Sequence, residues 1–156
     1  MSDFVTPSGI DLAAAVCFRR NGPDFEILLV RTSSGKRWIF PKGKRKSGES
    51  TMETAARETD EEAGVTGRTS LLPITTYESS RRGVMTPVAV HLLEIAGGDT
   101  RSHEAGRTPT WMSPAEARER LSTNRSRAQA EPLQHALDIA LAAIRDSDIP
   151  LSSAHR

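Results

Sequence analysis

An α+β domain is predicted for this chain by three observations. Two short apolar runs near the start are joined by turn residues, a capped helix with an acidic face follows them, and further β-rich runs then give way to two helical patterns. At 156 residues the chain falls within the range of one domain able to bury a real core. We place that core at about residues 10 to 146, with polar ends expected to fray.

Each element has a local reason. Leu12 to Phe18 and Phe25 to Val30 are apolar runs separated by Asn21, Gly22 and Pro23, the composition of a hairpin. Trp38 to Gly43 begins as a short strand and leads into a helix, which Ser50 and Glu53 open as a Ser-x-x-Glu capping box and Gly64 stops. Met52, Ala55, Ala56, Thr59 and Ala63 recur at helical spacing and form a narrow face of small residues, suited to lie close against a sheet. Thr69 to Tyr77 and Pro87 to Ile95 read as further strands, split by a polar loop from Glu78 to Gly83. In that loop Arg81 and Arg82 could meet a substrate, but solvent exposure is the favoured reading. Ser113, Pro114 and Glu116 open a short helix to about Leu121. Pro132 opens a longer one, in which Leu133, Ala136, Leu137, Ala140, Leu141 and Ile144 share a face that should pack on the sheet.

The chemistry is concentrated around the first helix. Glu58, Glu61 and Glu62 are three and four positions apart, which puts them on neighbouring parts of one surface. Like charges so close repel, Arg57 relieves only part of that, and a divalent cation is the natural compensation. Magnesium or manganese suits such hard oxygen donors. Between Arg31 and Lys46 stand seven basic residues and no acidic one, namely Arg31, Lys36, Arg37, Lys42, Lys44, Arg45 and Lys46. A cationic loop beside an acidic helix suits a metal-bound polyphosphate, whose free oxygens need cations from both protein and metal. An ordinary solvated helix face would explain the acids but not the loop before them.

The run from Gly43 to Val65 resembles the signature of the Nudix hydrolases: a glycine, five residues, a glutamate, seven residues, Arg-Glu, an aliphatic position, one residue, Glu-Glu, one residue, a glycine and an aliphatic position. All seven fixed identities match, at Gly43, Glu49, Arg57, Glu58, Glu61, Glu62 and Gly64. At residue frequencies of roughly one in fifteen, such a match arises by chance on the order of once in 10⁸ starting positions. Thr59 departs from the pattern by standing at an aliphatic position, which predicts weaker packing beneath the helix. The resemblance implies a mixed β-sheet sandwiched between α-helices over about Leu12 to Ile144, and attack of water on one phosphorus of a diphosphate linkage. It implies Glu58 and Glu62 as leading metal ligands, Glu61 as a supporting ligand or base, the Gly43 carbonyl as a further ligand, and Arg57 orienting the carboxylates through Glu49. The general base varies within the family.

Two further stretches carry resemblance. Ser102, His103 and Glu104, ahead of Trp111, are similar to a loop of diadenosine polyphosphate hydrolases that supplies another carboxylate, so Glu104 is a candidate ligand, with an exposed loop acid as the even alternative. Trp38 to Gly43 resembles the lead-in of enzymes acting on diadenosine polyphosphates and diphosphoinositol polyphosphates. The expected activity is thus metal-dependent cleavage of a densely anionic small molecule, with Arg31, Arg37, Lys42, Lys44 and Arg45 as candidate substrate-binding cations. Nucleoside triphosphate hydrolysis, removal of an RNA 5′-pyrophosphate and a non-catalytic nucleotide- or RNA-binding module are the alternatives, and the intact Glu58, Glu61 and Glu62 argue against the last.

Composition sets the remaining bounds. A net charge of +1 and a pI near 8.0 give no overall pull toward nucleic acid. The single cysteine, Cys17, excludes an internal disulfide and suits a reducing compartment. No signal peptide or long apolar span is visible, so no membrane partner and a cytoplasmic location are expected. No Gly-x-Ser-x-Gly nucleophile motif is present, and His91 and His135 read as structural. Oligomeric state is not visible in the sequence.

Overall fold

A computed structural model of the chain describes residues 9–96, 102–146 and 150–152. Its strands are β1 (Leu12–Asn21), β2 (Asp24–Arg31), β3 (Trp38–Ile39), β4 (Lys42–Lys44), β5 (Gly67–Thr69), β6 (Thr75–Arg81), β7 (Val84–Ile95) and β8 (Thr110–Met112). Its helices are α1 (Thr51–Ala63), α2 (Pro114–Arg120) and α3 (Arg127–Asp146).

Strand β1 is the spine. Along one edge it runs parallel to β7, from Leu12 opposite Val88 to Phe18 opposite Glu94. Its other edge is shared: Leu12 to Ala14 pair with β4, and Cys17 to Asn21 pair with β2 through the turn at Gly22, whose φ of 63° suits glycine. β7 is shared likewise, pairing with β6 from Val84 to Val90 and with β5 from Leu93 to Ile95. β3 and β8 extend β2. The sheet is mixed, and a cleft opens at the Leu12 end of β1.

Side chains alternate across this sheet, so its two faces bury different helices. Cys17 meets Thr59 of α1 on one face, while Phe18 on the other shares a cavity with Ala143 and Ile144 of α3. The expected sandwich is present. α1 forms where the capping box places it: Ser50 Oγ accepts from the Glu53 amide at 3.1 Å, and the Glu53 carboxylate accepts from the Ser50 amide at 2.9 Å. Gly64 ends the helix in the left-handed conformation at φ 70°. Thr59 does not loosen the packing as expected. It is fully buried, its hydroxyl donates to the Ala55 carbonyl at 2.8 Å, and Cys17 Sγ lies 3.7 Å away, so the polar atom is satisfied inside the helix–sheet interface.

Three boundaries differ from the sequence reading. The run from Thr69 to Tyr77 is two strands, because Pro73 has no amide for a ladder and the Ser70 hydroxyl takes the Leu92 amide and donates to the Leu72 carbonyl. The supposed loop from Glu78 to Gly83 is mostly the outer half of β6. The turn needs only Arg82 and Gly83, both at positive φ (52° and 77°). The last helix begins at Arg127 and holds Pro132 inside it. Ser126 and Gln129 form a second reciprocal cap, with the Gln129 amide donating to Ser126 Oγ at 3.2 Å and the Ser126 amide to Gln129 Oε1 at 2.9 Å. Among the described residues no helix is long and apolar enough to cross a membrane. The expected frayed ends fall mostly outside the described residues, as does the Arg81 side chain.

Candidate active site

Three segments meet at the Leu12 end of β1: the exposed face of α1, the chain through β4, and the loop ahead of β8. β4 holds Gly43 opposite Ala13, close beneath α1. The Glu58 carboxylate fills the space beside it so fully that a Cβ built on Gly43 would sit 1.5 Å from Glu58 Oε2. Only glycine permits this approach.

Arg57 organises the acids. Its Nε donates to Glu49 Oε2 at 2.6 Å and its Nη2 to Glu49 Oε1 at 3.0 Å, a bidentate pair, while Nη2 also reaches the Lys44 carbonyl at 2.9 Å. Nη1 turns to Glu58 Oε1 at 3.1 Å and Glu61 Oε2 at 3.3 Å. Arg57, helped by the Lys46 amide and the Thr54 hydroxyl, lowers the Glu49 carboxyl to about 2, so it stays ionised against its own partial burial.

Glu62 is 5 % exposed, the deepest of the acids. It accepts the Lys42 amide at 3.1 Å and pairs with Arg107 at 3.3 Å. Arg107 also donates to Glu104 at 2.5 Å and to the Arg31 carbonyl at 3.2 Å, and the Glu104 amide donates to the Glu61 carbonyl at 2.8 Å. These bonds dock the loop bearing Glu104 onto α1.

Glu58 and Glu62 are pushed up to about 7. Burial is the main cause for both. The neighbouring Glu61 and Glu62 add to it at Glu58 against Arg57, while Arg107 and the Lys42 amide oppose it at Glu62. Carboxyls so disfavoured as anions are ones a bound cation would stabilise.

A cavity of about 520 Å³ opens here, walled by Lys42, Gly43, Lys44, Glu58, Glu62 and Arg107. Among the expected site residues, Arg37 lines an adjoining cavity. Arg31 is turned away: it donates to the Gly35 carbonyl at 3.0 Å and stacks 4.5 Å from the Trp38 ring centroid. Arg45 braces the loop, reaching the Glu49 carbonyl at 3.1 Å and Asp11 at 3.3 Å. Neither lines the cleft. His91 is fully buried and bonded on both ring nitrogens, in keeping with a structural role. Arg107 was not anticipated, because it lies outside the motif and only its position three after Glu104 hinted at a pairing.

Among the described residues no three acidic, histidine or cysteine side chains are grouped so as to enclose a metal, because Arg57 draws Glu58 and Glu61 to one side and Arg107 draws Glu62 and Glu104 to the other. The donor set nonetheless fits a hard divalent cation in chemistry. It offers carboxylate oxygens in a half-buried cleft and, at Gly43, a backbone stripped of any side chain.

A family model described as NUDIX domain matches residues 11–134. The curated protein Nudix hydrolase 4 of Arabidopsis thaliana is 40% identical over 96 residues, covering 60% of this chain, and those residues span about half of that relative (46%). Among solved structures, an Ap4A hydrolase binary complex from C. elegans superposes with a TM-score of 0.65 at 22% identity, covering 86% of this chain and 98% of that one. The NUDIX domain of NrtR from Shewanella oneidensis, solved with ADP ribose, gives 0.66 at 16% identity, covering 89% and 90%. These structural likenesses are likenesses of fold.

Proposed function

The chain belongs to the Nudix hydrolase family, and from that premise we propose that it cleaves a diphosphate linkage in a highly anionic small molecule, such as a dinucleoside polyphosphate or diphosphoinositol polyphosphate, with magnesium or manganese bound. The observation that carries the reading is the cleft itself, in which the half-buried Glu58 and the buried Glu62 share one cavity with Lys42, Lys44 and Arg107. Acids and bases on one wall suit a substrate whose phosphates and metal arrive together.

Glu58, Glu62 and the Gly43 carbonyl would hold the metal, with Glu61 and Glu104 beside them. When bound, the metal lowers the pKa of a water, polarises the phosphoryl group and neutralises the leaving oxygen. The chain's own residues do the rest. Arg57, anchored on Glu49 and the Lys44 carbonyl, sets the direction of the Glu58 and Glu61 carboxylates. Glu61, 48% exposed, is the most open of the three acids and is our candidate to take the proton from the attacking water, directly or through a second water. Lys42 and Lys44 meet the non-bridging oxygens. The buried Cys17 thiol fits a reducing, cytoplasmic setting.

The test is mass-resolved product formation from dinucleoside polyphosphates, diphosphoinositol polyphosphates, nucleoside triphosphates, sugar nucleotides and capped RNA, each with magnesium and with chelator. Magnesium-dependent cleavage of the first two classes supports the reading. Cleavage of triphosphates or RNA ends alone would replace the substrate, and binding without cleavage would replace the enzyme by a nucleotide-sensing module.

A further inference from the structure

The groove does not end at the acidic cleft. A second cavity of about 450 Å³ shares Thr32, Ile39, Lys42, Ser79 and Ser80 with the first, so the two adjoin, and it runs between β6 and the first turns of α3. It holds two more cations, Arg37 from the loop before β3 and Arg125 from the turn before α3.

Arg125 is built into the wall. Its Nη1 donates to the Trp38 carbonyl at 2.8 Å and the Leu121 carbonyl at 2.9 Å, which fixes the guanidinium. Among the described residues, neither Arg125 nor Arg37 has a carboxylate partner, and the one acid lining this cavity is the exposed Glu78. Burial first, and then the charge of Arg37, hold Arg125 below its ordinary value. Among the described residues the Tyr77 hydroxyl, from a side chain lining the same cavity, is buried without a hydrogen-bond partner. Two like charges on one wall without a carboxylate partner among the described residues are unfavourable as a purely structural arrangement and favourable as a receptor for an anion.

We propose that this second cavity is an anion subsite that takes a phosphate group of the substrate remote from the cleaved bond, with Arg37 and Arg125 as its donors. The inference rests on the reading of the first cleft as a diphosphate-cleaving site and narrows its substrate class to molecules with phosphates on both sides of Lys42. A nucleobase is the poorer occupant: among the described residues the only aromatic side chain lining the cavity is Tyr77, which is 7% exposed and presents no open face for stacking.

Arg37→Gln is the informative variant, because Arg37 is exposed and its loss disturbs no described side-chain bond. Arg125→Lys, which keeps the charge and gives up the fork, is its companion, and circular dichroism checks that both fold. With magnesium present, Arg37→Gln should raise KM for diadenosine pentaphosphate about tenfold more than for diadenosine triphosphate. Calorimetry with inorganic tripolyphosphate and pyrophosphate gives a readout independent of turnover, and tripolyphosphate should lose about tenfold more affinity than pyrophosphate. Equal losses for long and short ligands, no loss for either, or a KM change that follows the base instead of the phosphate number would overturn the subsite. Turnover by the unaltered protein is read separately. Its absence sinks the catalytic reading, while the tripolyphosphate comparison still decides the subsite.

Discussion

The Glu58 carboxylate lies against the backbone of Gly43, in the space where a side chain at that position would begin. The obstruction is the far end of a flexible side chain, so a methyl group there displaces Glu58 instead of breaking the sheet. Gly43→Ala should therefore leave the melting temperature within a few degrees and lower kcat by on the order of 10²-fold, the effect of misplacing a reacting group by about 1 Å. A large loss of stability with normal specific activity in the folded fraction would show that the contact serves packing alone.

Glu62 is the most buried acid of the cleft and is pushed up to about 7. Glu62→Gln removes that charge, so turnover should fall by on the order of 10²–10³-fold while the fold persists. A divalent cation at 100 times its Kd should stabilise the unaltered protein by about 2.7 kcal/mol, and the variant by clearly less. Thermal unfolding with manganese and with chelator checks this, and equal metal-induced shifts in both proteins would remove Glu62 from the ligand set.

Arg57 contacts Glu49 through two nitrogens and Glu58 and Glu61 through a third. Lysine cannot reproduce that fork. Arg57→Lys should cost about 10- to 100-fold in metal affinity or kcat. Glu49→Gln should fall in the same range although it touches no part of the cavity. Additive losses in the double variant would indicate independent roles, whereas shared losses mark one positioning unit.

His91 Nδ1–H donates to the Ser70 carbonyl at 2.8 Å, which leaves Nε2 to accept from the Thr51 hydroxyl at 2.9 Å. The imidazole is thus neutral where it ties β7 to the start of α1, and burial lowers it below the ordinary value of 6.5. Because the unfolded chain binds the proton more readily, stability is held above pH 6.5 and lost as pH falls below it. Glu58 and Glu62 work in the opposite sense across that range, losing stability as pH rises toward 7, so the contrast with His91→Gln isolates the histidine. Its melting temperature should fall less than that of the unaltered protein between pH 7 and pH 5, and parallel curves would count against a neutral His91.

Local signals were readable in advance and distant ones were not. Ser50, Glu53 and Gly64 bound α1 because capping is a contact between residues three or four apart. The turn at Arg82 and Gly83 was hidden because an arginine at positive φ leaves no mark in composition. The proline at 132 read as a start and proved internal, since the Ser126–Gln129 cap lies upstream of it. In the cleft, spacing alone could set three glutamates on one surface. It could not show that Arg57 and Arg107 divide them, because Arg107 reaches Glu62 only after the loop ahead of β8 docks on α1 through Glu104 and Glu61.

Cys17 lies with no exposure between the sheet and α1, its sulfur against Thr59 and its thiol pushed up to about 12 by burial. A reagent that modifies thiolates can reach it only when α1 lifts from β1, so the rate of labelling reports how often that happens. The chain thus carries an intrinsic clock for the motion of the helix that bears its acids, and slower labelling on adding manganese or tripolyphosphate would time how far each of them clamps that helix in place.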